Sequence, residues 1–291
     1  MNRTAPAACD AGRQPVLESC PLCGSQSAAI VAEHEALWVR CDCGLVYKRA
    51  GGQGSGGATE DPGSLGHGYD ADYFRTYARR RNRRIRKSRT QILDALEHVD
   101  AVRLLDVGCS LGYTLEAARA LGLEAAGVDV SEHALTHCRA LGFEARRGTL
   151  EQLPFAEAAF DVAILKHVFE HTAAPRAALA ELRRVLRPGG AAFFAVPNAG
   201  YFQVARGRSR FFSGEGGAAH FVCYSPDTLK RMLREEGFDP AALHPCLLHR
   251  SAGAPARRLL EAVALPVRWP ASRIRTVWAL RKEFWLVAVR R

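Results

Sequence analysis

The sequence predicts an α/β fold in which helices cover both faces of a mainly parallel sheet. An apolar run that ends in the acid Asp106 is followed by a turn with small residues at alternate positions over 108–112 and by a helical pattern over 113–121, which indicates strand, tight turn and helix. After that helix, a second short apolar run ends at Asp129. A third run, 160–165, is apolar almost throughout, as expected of a strand buried on both faces. These patterns together indicate successive strand-helix-strand units.

The turn after the first strand has Gly108, Ser110 and Gly112 at alternate positions. Residues without bulky side chains let backbone N–H groups and the start of the next helix approach a ligand. Asp129 follows Gly108 by about twenty residues, the spacing at which an acid at the end of the second strand contacts the ribose of a nucleotide. The turn and the acid therefore predict a ligand of the nucleotide type.

The same turn also spells G-x-S-x-G over 108–112, the nucleophile elbow of hydrolases. That elbow lies in the middle of a sheet, with several strands and an oxyanion-hole loop before it. Here a cysteine-rich segment, a glycine-rich stretch and a basic helix precede the turn. The context therefore argues against a hydrolase.

With the acid before it, the turn reads D-x-G-x-S-x-G from Asp106, which differs from the G-x-G-x-x-G of dinucleotide sites. It resembles motif I of the class I S-adenosylmethionine (SAM) dependent methyltransferases, with Ser110 where that family usually has Gly. Further matching segments follow in order: GVDVS at 127–131, LPF at 153–155, FD at 160–161, EH at 170–171, LRPGG at 186–190, VPN at 196–198, YSP at 224–226 and TL at 228–229. Their order and spacing are similar to the subgroup that contains ubiquinone-pathway O-methyltransferases and many sugar, lipid and natural-product methyltransferases.

This resemblance implies a Rossmann-like, doubly wound sheet of seven strands with the final strand antiparallel, and SAM as the cofactor. It also implies that Asp129 holds the ribose, that Asp106 supports the turn around the amino-acid end of SAM, and that 149–150 lies against the adenine. The residues expected at the cofactor site are Asp106, Gly108, Cys109, Ser110, Gly112, Asp129, Val130, Thr149, Leu150 and Lys166.

His167 follows the third apolar run and opens the segment H-x-x-E-H, which ends with Glu170 and His171. As a zinc-protease signature, this segment would need both His on one continuous helix, whereas His167 comes directly off a strand. The E-H pair also resembles the methyltransferase E-H step, whose residues assist a divalent metal in some ubiquinone-pathway relatives. His167 and His220 are candidates for the general base that removes an acceptor proton. Ordinary hydrogen-bonded roles at a strand-to-helix junction remain open for His167 and His171.

Two pairs of cysteines predict a small metal-binding ribbon: Cys20 and Cys23 in C-x-x-C, and Cys41 and Cys43 in C-x-C. Each pair is followed by Gly, and four thiolates suit a tetrahedral, structural Zn²⁺. The second pair is one residue shorter than the usual C-x-x-C, which keeps a metal-free ribbon as the alternative.

The 291 residues are 48% hydrophobic and 24% charged, which suits one full α/β domain with a small appendage. The chain shows neither a leader pattern nor an apolar run of membrane-spanning length, so we expect a soluble cytoplasmic protein.

The net charge of +10 is concentrated in 75–89, which has eight Arg and one Lys without an acid, and in 250–291. The basic face of 75–89 is either solvated or holds an anionic acceptor. The amphipathic stretch 250–282 either covers the sheet or lies on a membrane surface.

We therefore expect a disordered tail (1–18), a zinc-ribbon-like module (19–50), a glycine-rich linker (51–68) and a class I methyltransferase domain (69–291). The linker predicts that the ribbon is mobile or separately docked. The expected reaction is methyl transfer from SAM to a small-molecule acceptor, with a hydroxyl of a sugar, lipid-linked or natural-product substrate favoured over nucleic acid. An RNA methyltransferase and a non-catalytic SAM-fold partner protein are the alternatives.

Overall fold

The computed structural model describes residues 17–33, 36–49, 71–201, 204, 212, 220–245 and 282–291. The predicted tail up to residue 16, the predicted linker 51–68 and the amphipathic stretch up to residue 281 lie outside the described residues.

Over residues 103–147 the described strands alternate with helices, as the sequence predicts, and one further α-helix lies between the two strands that follow. The strands are β1 (Ala28–Glu33), β2 (Leu37–Cys41), β3 (Val46–Arg49), β4 (Arg103–Val107), β5 (Glu124–Asp129), β6 (Glu144–Arg147), β7 (Phe160–Lys166), β8 (Leu186–Pro197), β9 (Val222–Cys223), β10 (Phe238–Pro245) and β11 (Glu283–Arg290). The α-helices are α1 (Ala71–Ala78), α2 (Arg81–Leu96), α3 (Tyr113–Arg119), α4 (Glu132–Ala140), α5 (Pro175–Val185) and α6 (Pro226–Glu235), and a 3-10 helix covers Phe169–His171.

A seven-stranded sheet in the order β10-β11-β8-β7-β4-β5-β6 forms the centre of the molecule. The pairs among β8, β7, β4, β5 and β6 are parallel, whereas β11 runs antiparallel to both β8 and β10. The prediction of a doubly wound, Rossmann-like sheet of seven strands with an antiparallel last strand is confirmed.

Alternate residues of the central strands enter two separate cores because successive side chains of a strand point to opposite faces. In β4, Leu105 packs into one core and Leu104 into the other. In β7, Ala163 and Ile164 are divided in the same way. Both faces of the sheet are therefore covered, and this is why these strands are apolar almost throughout.

Two of the helices at the sheet edge are capped at their N-termini by side-chain hydrogen bonds. Ser131 precedes α4, and its hydroxyl accepts a hydrogen bond from the backbone N–H of Ala134. Ser225 and Thr228 form a capping box at the start of α6. Such caps satisfy backbone N–H groups that have no partner inside the helix.

The cysteine-rich segment forms a second sheet, in the order β1-β2-β3-β9, that includes β9 from between β8 and α6 of the α/β domain. Strand β3 pairs antiparallel with β9, with Val46 opposite Cys223 and Tyr47 opposite Val222. Cys20, Cys41 and Tyr47 also lie in the core that covers one face of the large sheet. The described part of the ribbon is therefore docked on the α/β domain by strand pairing.

Among the described residues, no helix combines the length and the apolar composition that crossing a membrane would require.

Candidate active site

The carboxyl ends of the parallel strands bring the predicted cofactor residues to one edge of the sheet. Strand β4 carries Asp106 near its end, β5 ends at Asp129 and β7 ends at Lys166. In register, Val107 lies beside Val128 on one side and Leu165 on the other. Ligands of open α/β sheets bind at this edge.

The turn between β4 and α3 adopts the left-handed backbone region at three positions: φ is 71° at Gly108, 46° at Ser110 and 73° at Gly112. A Cβ atom on Gly108 would lie 2.6 Å from Cγ2 of Val168, so only glycine fits there without displacing a neighbour. Ser110 adopts the same backbone region although it carries a side chain, and its carbonyl accepts a hydrogen bond from Cys138 at 3.2 Å. The turn therefore keeps the shape expected of a glycine at this position.

Asp129 holds the turn from the neighbouring strand. One carboxylate oxygen accepts a hydrogen bond from the backbone N–H of Ser110 at 2.8 Å, and the other accepts one from Ser131 at 2.9 Å. Burial raises the pKa of Asp129, and the backbone N–H groups of Ser131 and Ser110 oppose that rise. The end of β5 thus places a carboxylate beside the turn, where the ribose contact was predicted.

A buried polar cluster lies next to the turn. The ammonium of Lys166 donates to the hydroxyl of Ser88 at 2.9 Å and to that of Thr114. Burial raises the pKa of Asp106 to about 6, while Lys166 and Thr114 act to lower it. One oxygen of Asp106, Oδ1, is buried and has no hydrogen-bond partner within the described part of the chain.

His167 leaves β7 with φ at 55° and lies between two carboxylates. Its Nδ1 is 3.2 Å from Glu170 and its Nε2 is 3.0 Å from Glu283. Burial alone would lower the pKa of His167, but the two carboxylates outweigh it and raise the pKa to about 9. His167 is therefore protonated at neutral pH in this arrangement, and both ring nitrogens are already engaged.

Glu170, His171 and His220 form a second cluster at the same edge, with one potential ligand atom from each within 4.8 Å of the others. The rings of His171 and His220 are 4.6 Å apart. Glu170 is 1% exposed, and its Oε2 has no hydrogen-bond partner among the described residues. Burial would raise the pKa of Glu170, but the hydrogen bond from His167 and the electrostatic contributions of the three histidines nearby together outweigh it, so the net shift is downward. This cluster can accept a proton through an imidazole, and its carboxylate and two imidazoles also form a donor set suited to a divalent transition metal.

The segment before the domain core places aromatic rings over the turn. Tyr77 stacks on Tyr113 with ring centroids 5.4 Å apart, and Arg84 lies over Tyr77. Phe74 stacks on His133 at 4.7 Å. Since Tyr113 directly follows Gly112, this aromatic cover lies at the cofactor turn.

Comparison with known proteins agrees with this geometry. A family model described as "Methyltransferase domain" matches residues 105–194. A ubiquinone biosynthesis O-methyltransferase of Methylococcus capsulatus is 30% identical over 169 residues, which cover 53% of this chain and 70% of that protein. The chain belongs to the class I SAM-dependent methyltransferases.

A second relative with the same description, from Hahella chejuensis, is 34% identical over 117 residues, or 38% of this chain and 49% of that protein. This methyltransferase-family chain thus spans about half to two thirds of the length of the first curated relatives it matches.

Solved structures show the same fold at low identity. A SAM-dependent methyltransferase of Thermotoga maritima is 19% identical with a TM-score of 0.52, covering 75% of this chain and 96% of that chain. One from Mesorhizobium loti is also 19% identical, with a TM-score of 0.50 and coverage of 67% and 93%. These two structures support the methyltransferase fold alone.

The structure places the other four predicted cofactor residues in different surroundings. The Cys109 side chain is buried beneath the turn, where a Cβ on Gly127 would lie 2.7 Å from its sulfur, so Cys109 can offer a ligand only its backbone. Val130 lies between Asp129 and the cap of α4. Thr149 forms an isolated bridge to Gln152, and Leu150 is buried in the core. Their contacts with SAM stay predictions.

The structure adds three residues that sequence reasoning missed. Ser88 and Thr114 contact Lys166, and Glu283 contacts His167. Ser88 could have been found, because it lies four residues before the buried Ile92 and so shares the inward face of α2. No local sequence pattern indicates a role for Glu283, because its strand joins the sheet from the far end of the chain.

The four cysteines of the methyltransferase's N-terminal ribbon converge as predicted. Their sulfur atoms all lie within 4.8 Å of one another, with 3.6 Å between Cys20 and Cys43 and 3.4 Å between Cys23 and Cys41. Sulfur atoms around one tetrahedral Zn²⁺ are about 3.8 Å apart. The cluster is compatible with zinc.

Proposed function

We propose that this protein uses SAM to methylate a small-molecule acceptor, most readily a hydroxyl of a sugar, lipid-linked or natural-product substrate. The observation that carries the proposal is the Glu170, His171 and His220 cluster, which lies at the same sheet edge as the cofactor turn. An acid or base is needed beside a methyltransferase cofactor chiefly when the acceptor must lose a proton. The matched relatives are described as O-methyltransferases, which supports an oxygen acceptor for this chain.

The residues at the edge suit the SAM molecule that the family implies. Gly108 leaves no room for a Cβ atom, Asp129 offers a carboxylate for ribose hydroxyls, and Asp106 has a buried oxygen without a hydrogen-bond partner among the described residues. When bound, SAM supplies an activated methyl group on a sulfonium, so the protein contributes mainly proximity and orientation.

His220 is the favoured base in this proposal. The protonated state and paired nitrogens of His167 make it a positioning residue for Glu170. Glu170 in turn lies beside His171 and His220, where its negative charge stabilises an imidazolium. His220 would accept the proton of the acceptor hydroxyl as the oxygen takes the methyl group.

Calorimetry with SAM tests the cofactor site. We expect Asp129→Ala to weaken binding by about tenfold or more, because the ribose contact and the support of the turn are both lost. Glu124→Ala is the matched control, since Glu124 is exposed at the opposite end of the same strand. Wild-type protein that does not bind SAM, or equal affinity in both variants, would contradict the cofactor assignment and would favour a non-catalytic partner protein.

Transfer of a labelled methyl group from SAM into a metabolite extract tests the acceptor side. We expect His220→Asn to lose turnover while SAM affinity stays unchanged. His137→Asn, an exposed substitution on α4, serves as the control. Unchanged turnover in His220→Asn would reject His220 as the base.

A second candidate function is methylation of RNA, because Arg79, Arg80, Arg86 and Arg89 are exposed and have no carboxylate partner in the described ranges. Several of these residues line an open groove of about 550 Å³ at the junction of α1 and α2. RNA affinity that falls steeply with added salt, together with methyl transfer to RNA, would replace the small-molecule proposal.

We also propose that the four cysteines bind one structural Zn²⁺. Four thiolates leave no open coordination position, which favours a structural role. Metal analysis of the purified protein should find one zinc per chain, and Cys23→Ser should reduce that content.

A further inference from the structure

The cysteine ribbon is connected to the acceptor-side cluster by a short path of main-chain hydrogen bonds. In β3, the backbone N–H of Lys48 donates to the carbonyl of Phe221 at 2.8 Å. The N–H of Phe221 then donates to the carbonyl of Glu170 at 2.9 Å. His220 directly precedes Phe221 in the chain. Two hydrogen bonds therefore join the ribbon to the residues that carry the carboxylate and the imidazole.

The turn that carries Cys41 and Cys43 is continuous with β3. The N–H of Cys41 donates to the carbonyl of Leu45, and the N–H of Gly44 donates to that of Cys41, so the second cysteine turn leads directly into the strand. Strand β3 is short, and one of its two neighbours is the two-residue β9. A strand of this length depends on its neighbours and on the turn before it for its position.

The first cysteine turn is attached to the domain at a different place. Arg176 of α5 donates to the carbonyls of Pro21 and Leu22 at 3.2 and 2.5 Å. The same guanidinium pairs with Glu235, the last residue of α6, and with Glu236, which follows it. Both cysteine turns are therefore fixed to the domain, and a metal between them would tie β3 to α5.

Aromatic side chains also pack between β3 and the segment around Glu170. Phe169 precedes Glu170 and is fully buried, stacked on Tyr224 with ring centroids 5.0 Å apart. Tyr47 of β3 and Phe221 belong to the same core as these two rings. A shift of β3 would therefore disturb the packing of Phe169, which precedes Glu170 in the chain, and of Phe221, which is hydrogen-bonded to it.

The cofactor turn, in contrast, is hydrogen-bonded to β5. Gly108 and Cys109 donate their backbone N–H groups to Val128, and Asp129 holds Ser110. These contacts all come from β5. Among the described residues, no hydrogen bond joins the turn to the ribbon.

We propose that the four-cysteine ribbon positions the acceptor-side cluster: with its metal bound, β3 holds Phe221, and through it His220 and Glu170, in the arrangement described above. The ribbon residues are positioning residues and contact neither SAM nor the reacting atoms. This inference rests on the proposed zinc site and on the proposed role of His220. It predicts that metal loss loosens the acceptor side and leaves the cofactor side intact.

The test is amide hydrogen exchange on the full chain, before and after zinc is removed with a chelator, together with SAM calorimetry on the same samples. We expect exchange at Lys48 and Phe221 to rise by about tenfold or more, because their hydrogen bonds open locally. Exchange at 108–112 and SAM affinity should stay within about twofold of the zinc-loaded values. Adding Zn²⁺ back should restore the slow exchange.

The substitution Cys23→Ser removes a proposed zinc ligand and so replaces the chelator treatment. Because Cys23 is exposed, the substitution leaves no buried cavity. Asp42→Asn is the matched control, because Asp42 is exposed within the other cysteine turn and is not a proposed ligand. Unchanged exchange at Phe221 after metal loss would overturn the inference, as would an equal rise at 108–112 with loss of SAM binding, which would mean general unfolding.

A protein that contains no zinc and does not respond to the chelator would also overturn it. The SAM calorimetry described above does not depend on the ribbon, so failure of the inference and failure of the proposed methyltransferase function are distinguishable.

Discussion

His167 gives the sharpest test of the electrostatics at the sheet edge. Its imidazole lies 3.2 Å from Glu170 and 3.0 Å from Glu283, and these carboxylates raise its pKa from 6.5 to about 9. Because the folded-state pKa is raised, the stabilisation is fully present below about pH 6.5 and is lost as the pH rises through about 9. The substitution His167→Asn removes the charge while asparagine still accepts the left-handed backbone at φ 55°.

The size of this effect follows from the pKa difference. Each unit of difference between the folded and unfolded pKa is worth about 1.4 kcal/mol, so the rise from 6.5 to about 9 would contribute about 3.5 kcal/mol in a fully buried pair. The side chain is 46% exposed, and solvent screening reduces this contribution to about 1.5 kcal/mol. We therefore expect His167→Asn to lower the free energy of unfolding by about 1.5 kcal/mol at pH 6 and by much less at pH 9.5.

Urea unfolding of both proteins at several pH values between 6 and 9.5 measures this difference directly. His137→Asn, on the exposed side of α4, controls for loss of an imidazole in general. A difference between wild type and His167→Asn that is constant with pH, or that grows as the pH rises, would refute the reasoning.

Three further substitutions test other parts of the site. Gly108→Ala puts a Cβ 2.6 Å from a neighbouring side-chain carbon, so calorimetry should show SAM affinity reduced by about tenfold or more; Gly122→Ala, with similar φ but open space, should bind SAM normally. Lys166→Met removes the cation that opposes burial, so the pKa of Asp106 should rise further above about 6, and an unchanged carboxyl titration by NMR would contradict this. Ser225→Ala removes the capping box of α6 and should lower the free energy of unfolding by about 1 kcal/mol in urea titrations, whereas no loss would mean the cap is not needed.

The glycine turn and the carboxylate beside it could be predicted from the sequence because their determinants are local. Gly108 and Gly112 are required by the backbone of one turn, and Asp129 lies one strand-helix-strand unit later. Parallel strands bring such residues to the same edge whatever the rest of the chain does. The four cysteines are also predictable, since two short turns carry all the proposed ligands.

The acceptor side was decided by tertiary structure. His167 was a candidate base by sequence, and the fold placed it between two carboxylates, one of which, Glu283, is more than a hundred residues away in the chain. Its proton affinity therefore depends on which strand is inserted beside β8, a choice that no local pattern records.

The position of the ribbon on the domain was also determined by the tertiary structure. A glycine-rich linker indicates only that two segments are separable. Pairing of β3 with β9 depends on free backbone groups at the edge of each strand, and sequence does not show which edges meet. The chain by itself thus determined the cofactor turn and the cysteine ribbon, because each is built from neighbouring residues, while folding alone determined which distant carboxylates and strands surround His167 and His220.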